Sequence, residues 1–332
     1  PKLVRAGQRV AICDQLEDPK LAKTIVKRGV TELVTPGVSY NDKILETRQN
    51  NFLASVYLAD KQSGISFLDI STGEFYIAQG NTDYIEKLLQ SFKPSEVVVE
   101  KSKLPIFKQL FGDKLLCTTF DDWVFTFDFS NDILLKHFQV QSFKGFGVEN
   151  IPHGLIAAGA ALHYLFETQH TNVSHITKIT RIEEDHYVWL DQFTIRNLEL
   201  LDSNNANAVT LLDILDHTLS PMGSRMLRKW ILLPLKDKIL IEERHEIVEL
   251  LIRNTEFSQA IASHIKLIGD LERLISKVAV SRISPRELVQ IQRSLYAVEN
   301  IKKQCESISN NYIRKISEQI NPCLSMRNCI EQ

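Results

Sequence analysis

Cysteine is sparse. Cys13, Cys117, Cys305, Cys323 and Cys329 are the five in 332 residues, widely spaced, odd in number and without a C-x-x-C pair. This spacing argues against a disulfide framework or a cysteine zinc site and fits reduced thiols in a cytoplasmic protein. Net charge is low as well: 39 Lys+Arg stand against 41 Asp+Glu, giving −2. No overall basic field advertises a polyanionic partner, so any nucleic-acid contact has to come from local patches. No apolar run reaches the roughly 20 residues that a membrane helix needs; the most apolar stretch, around 154–166, is short and contains His163. A G-x-x-x-x-G-K-S/T phosphate loop is absent, as is any Gly-Lys dipeptide. The nine histidines form no metal set by spacing, and no Ser/His/Asp or Cys/His grouping can be defended. No catalytic residue, metal site or nucleotide site is therefore expected in this chain, and no membrane partner.

What is present is ordinary globular composition, 44% hydrophobic and 24% charged, with room for two or three domains. The most informative stretch runs over 190–235 and reads as two helices joined by a turn-rich loop. Leu190, Phe193, Leu198 and Leu201 recur near helical spacing before Asn204, Asn205 and Asn207 break the pattern. Ser220 then sits at an N-cap with Pro221 in the first helical position. Met222, Met226, Leu227, Trp230 and Ile231 form one apolar face, which predicts that the opposite face with Arg225, Arg228 and Lys229 is solvated.

In chain order, 3–38 reads as strand, helix, strand, with the helix from Asp18-Pro19 to about Arg28 and the second strand starting at Leu33. Lys20, Lys23, Lys27 and Arg28 make that helix mildly basic. A polar connector follows over 41–51. Three short strands come next, around 54–60, 64–70 and 73–79, with Ser63-Gly64 and Thr72-Gly73 reading as hairpin turns. After them, helices near 84–92, 105–111, 133–138 and 152–168 alternate with strands at 96–100 and 115–118. That order is the one expected of an RNase H-like sheet. A metal-dependent nuclease on such a sheet needs a carboxylate in the middle of the first strand. Val56-Tyr57 occupies that place, Asp60 falls at the strand's end, and Asp69, Glu74 and Glu100 are the remaining candidates. From about 182 onward the chain reads as helix, including a Ser284/Glu287 capping box and a seam of Leu288, Ile291, Leu295, Val298 and Ile301.

The blocks RNLEL at 196–200 and SPMGSRMLRKWILLPL at 220–235 closely resemble the start of the helical lever of the MutS family of DNA mismatch-repair proteins. VRAGQRVAICDQLEDPK with IVKRGVTELVTPG resembles the end of that family's mismatch-binding domain, and DISTGEF and AAGAALHYLFETQ resemble its connector. The resemblance implies a multidomain α/β plus all-α chain, opening at Pro1 inside a structural pattern as an excised fragment. Its parts would be the C-terminal tail of a small α/β mismatch-binding domain (1–38), a linker (39–51), an RNase H-like α/β connector (52–170), a second linker (171–185), and the N-terminal half of a helical core or lever domain (186–332). It further implies a dimeric parent that binds mispaired double-stranded DNA, uses ATP and Mg in a domain absent here to form a clamp, and recruits a MutL-like protein through the connector. Lys23, Lys27 and Arg28 would touch DNA phosphates, which position a duplex without reading it. Two other readings stay open: a non-catalytic partner-binding scaffold, and the nuclease.

Overall fold

The computed structural model describes residues 1–15, 17, 26–168, 173–203, 205 and 208–331. They form two compact units, Pro1–Ile182 and Glu183–Gln332.

The first unit opens with a single helical turn, α1 (Lys2–Arg5), and an antiparallel pair, β1 (Val10–Gln15) and β2 (Arg28–Val34). Arg28 is the first residue of β2, opposite Gln15, so it does not end a helix and the second strand starts five residues before Leu33. The β-branched Val30 and Thr31 favour that extended pairing over helix. Most of the helix expected from Asp18, with Lys23, lies outside the described residues.

A six-stranded sheet follows: β3 (Leu53–Tyr57), β4 (Ser63–Asp69), β5 (Glu74–Gly80), β6 (Glu96–Glu100), β7 (Cys117–Phe120) and β8 (Thr180–Arg181), in the order β7-β6-β3-β4-β5-β8. The first three form an antiparallel meander, β6 and β7 extend it in parallel from β3, and β8 pairs in parallel with β5. This is the RNase H-like arrangement with one short strand added. Its helices are α2 (Thr82–Phe92), α3 (Leu104–Phe111), α4 (Phe127–Phe138) and α5 (Pro152–Thr168).

Neighbouring side chains of a strand point to opposite faces, and β4 shows what each face carries. Phe67 stacks on Phe92 of α2 with ring centroids 4.4 Å apart, while Ser66 donates its hydroxyl to the Ala157 carbonyl of α5 at 3.0 Å. The α5 face is made of small residues, which lets an alanine-rich helix lie almost directly on the backbone of the sheet. Gly64 is the tightest point, because a Cβ there would sit 1.9 Å from the His153 carbonyl oxygen. Ser63-Gly64 is therefore no turn. Both residues pair with Gly80 and Gln79 at the start of β4, and the chain reverses over 58–62. Helix α4 likewise begins at Phe127, six residues before the apolar spacing near Ile133 suggests, and its Ser130 is buried against α5, donating to the Ile156 carbonyl.

The second unit is helical: α6 (Gln192–Asn197), α7 (Leu211–Leu215), α8 (Pro221–Leu232), α9 (Lys238–Arg253), α10 (Thr255–Ile265), α11 (Leu271–Ala279), α12 (Pro285–Glu306), α13 (Asn311–Gln319) and α14 (Leu324–Glu331). Every helix from α6 to α13 starts on a side-chain N-cap: Asp191, Thr210, Ser220, Asp237, Asn254, Asp270, Ser284 and Asn310. Each such cap is worth about 1 kcal/mol, and together they fix where the helices begin even where little is buried. Burial concentrates in two clusters. Phe257, Cys305 and Ile313 gather Leu250, Leu251 and Ile301; Leu274, Ile291 and Leu295 gather Leu271 and Ile283. The α12 seam runs through both.

Candidate functional site

The acids that a nuclease would need have other work. Asp69 is fully buried, and its two oxygens accept from Asn50 Nδ2 (2.9 Å), the Asn51 amide (3.0 Å), the Ser71 amide (2.9 Å) and the Ser71 hydroxyl (2.7 Å). Glu74 takes the Tyr76 hydroxyl and Asn50, and Glu100 takes Ser102. These carboxylates fasten strand ends to the loops beside them. The middle of β3 is Ser55, buried and opposite Ser66. Among the described residues no group of three His, Cys, Asp or Glu side chains could hold a metal ion.

Two charged hubs stand out among the described residues. The first is Glu96, at the start of β6 and fully buried. Its Oε1 accepts from the Thr118 hydroxyl of β7 at 2.5 Å and the Tyr164 hydroxyl of α5 at 2.7 Å, while Oε2 accepts from the Gly37 amide at 3.2 Å. The Arg9 guanidinium lies 3.4 Å from Oε1 and also bonds the Thr118 hydroxyl. Burial, and then the Glu96 charge, hold the Tyr164 phenol well above its ordinary range, so it stays a hydrogen donor.

The second hub is Arg225 in α8. Its side chain is 3% exposed and its two terminal nitrogens grip Asp270 in a fork, at 2.8 and 2.7 Å, with Glu272 Oε2 2.5 Å from the same Nη2. Asp270 also caps α11. Burial works against the guanidinium charge, but the bonds to Asp270 and Glu272 outweigh it and raise the pKa. The expected solvated basic face is thus wrong at Arg225. Part of the apolar face is exposed instead: Met226 is 55% and Trp230 43% exposed while Met222, Leu227 and Ile231 are half-buried, and the Arg244 guanidinium lies 3.6 Å from the Trp230 ring centroid. Helix α8 is tied to α11 through Arg225, whose two terminal nitrogens are matched by carboxylates, while the neighbouring Ser224 hydroxyl donates to Asp216 at 2.5 Å.

Of the phosphate-contact candidates, Lys27 is exposed and lies just before β2, its amide donating to Glu17, and exposed Arg28 opens β2; Lys23 is outside the described residues. The two described residues are adjacent but share no helix face. Neither hub stands out in the sequence. The available hints are an acid at each end of the apolar run in EVVVE, and two acids within three residues at the start of α11.

Residues 1–43 match MutS domain I, 51–177 match MutS domain II and 193–331 match MutS domain III, in order and over most of the chain. The proteins named DNA mismatch repair protein MutS from Cytophaga hutchinsonii and Parabacteroides distasonis are each 55% identical, over 97% and 100% of this chain. The chain belongs to the MutS family. That of Flavobacterium johnsoniae is 56% identical over 331 residues. In each case the chain spans 38% of the length of the curated relative it matches. Against the MutS domains, Arg9 and Gly37 fall in domain I, Glu96, Thr118 and Tyr164 in domain II, and the Arg225 hub within domain III.

Proposed function

We propose that this chain is the connector and first half of the lever of a mismatch-recognition protein, carrying the tail of the mismatch-binding domain at its N-terminus. The observation that carries this reading is the consecutive match to MutS domains I, II and III. In the whole protein, a cytoplasmic homodimer, ATP and Mg bind outside this segment, and the lever relays nucleotide state to the end that holds mispaired DNA. The outcome is a clamp that recruits a MutL-like partner through the connector. This segment does no chemistry. Its capped helices and the Arg225 fork suit a relay, which needs stiff elements with discrete packing arrangements. Lys23, Lys27 and Arg28 contribute phosphate contacts alone.

Two measurements test the reading. The native product, captured from its source cells with an antibody against this chain, should exceed twice 38.0 kDa and cross-link to an ATP analogue. The chain by itself should bind duplex DNA weakly, with strong salt dependence and no preference for a mismatch. A native product of about this size that ignores ATP would favour a partner-binding scaffold, and nanomolar mismatch preference by the chain would contradict the assignment of its parts.

A further inference from the structure

We infer that Glu96 is a latch that sets how the domain I tail sits on the connector, with Arg9 as its releasable half. The evidence is the distribution of donors around one buried carboxylate. Thr118 and Tyr164 come from the connector itself and serve Oε1. Arg9, just before β1, and the Gly37 amide, just after β2, flank the same end of the antiparallel pair, where Val10 faces Val34; Gly37 serves Oε2, and Arg9 brings the cation closest to Oε1. Undocking the pair would strip the carboxylate of this cation and of the Oε2 donor in one step, leaving a charge inside the protein with half its acceptor capacity unmet. Docking is therefore all-or-none at this point. Gly37 makes the approach possible, since a Cβ there would lie 2.9 Å from Glu96 Cβ and 3.1 Å from Leu53 Cδ1.

The latch is also accessible. Glu96 is sealed in, yet the Arg9 side chain is 41% exposed, so it can be withdrawn without opening the sheet. Within the pair little is buried, since five of the six β1 residues are exposed and β2 buries only Glu32 and Val34, whereas Thr35, Val38, Ser39 and Tyr40 just beyond β2 are buried and anchor the end that carries Gly37.

The inference rests on the geometry of the first unit and holds whether or not the ATP-coupled reading does. Spin labels at exposed Cys13 and at Lys61→Cys, with the other cysteines replaced by alanine, report the distance between β1 and the sheet in the intact chain. One narrow distance is expected for the parent. Arg9→Met and Glu96→Gln should each raise the population outside that peak about tenfold, the scale of losing a hydrogen bond to a charged group. The double variant should do no more than either alone, and Arg9→Lys should restore most of the narrow peak. An unchanged distribution in Arg9→Met, or additive effects in the double variant, would overturn the latch. If Glu96→Gln does not fold, the Met and Lys substitutions at Arg9 decide the question between them.

Discussion

Replacing Arg225 by methionine keeps the length of the side chain and removes its charge, which isolates the fork from the packing. Asp270 is 16% and Glu272 40% exposed. Losing one partner of a buried pair costs about 3–5 kcal/mol. Water screens Glu272, and Asp270 keeps its capping role, so the lower end applies, about 3 kcal/mol. For a unit of this size each kcal/mol moves the midpoint by roughly 2–4 °C, giving a fall of about 6–12 °C in the helical unit's transition. Scanning calorimetry on the chain measures it, with the transition of the α/β unit as internal reference. Arg225→Lys should fall between the two, because an ammonium cannot hold a carboxylate with two parallel bonds. The double variant Arg225→Met, Glu272→Gln should recover part of the loss, since Asp270 stays charged for the buried Arg273, whose Nε lies 3.8 Å away, and still caps α11. A methionine variant melting within about 1 °C of the parent would refute the assignment of Arg225 as the charge that holds α8 on α11.

Lys277, then the Ser284 amide, depress the Glu287 carboxyl from its ordinary value near 4.5 to about 2. The stabilisation that Lys277 and the capping box give this carboxylate is thus complete above pH 4.5 and is lost as pH falls toward 2. After discounting for its partial exposure, Glu287→Gln should remove about 1 kcal/mol of acid-dependent stability, read from urea midpoints at pH 6 and pH 2.5. Burial also lowers His137, His163 and His175, the Nε2–H of His175 donating to the Ile70 carbonyl at 2.8 Å. Each ring takes up a proton less readily folded than unfolded, so the α/β unit should lose midpoint temperature as pH drops below about 6.5, and His175→Gln should flatten that slope. Gly64→Ala drives a methyl into the His153 carbonyl; a loss of about 3 kcal/mol or more is expected in denaturant unfolding, and a neutral result would show that α5 can back away from the sheet.

Much of this architecture is legible in the residues. Helix α5 spans Pro152–Thr168 as read, strand β6 spans 96–100, and Ser220 and Ser284 cap their helices, because each of those signals is local: a cap, a proline, an alternation. What misleads is tertiary. Gly64 resembles turn chemistry and is in fact a strand residue cleared for a helix backbone, and Met226 and Trp230 make an apolar stripe that faces solvent while Arg225 is inside. The Glu96 hub is assembled from Arg9, Gly37, Thr118 and Tyr164, positions up to 155 residues apart, and no window of sequence can show such a convergence.

The two rims of the sheet have a consequence for the chain in solution. One rim is β7, four residues long, and the other is closed along part of β5 by the two residues of β8 and the Ile182 amide. A second molecule seeking to extend the sheet would find too few free amides in a row to register against. The six-stranded sheet is thereby a poor template for a second copy at either rim, a protection supplied by shortness.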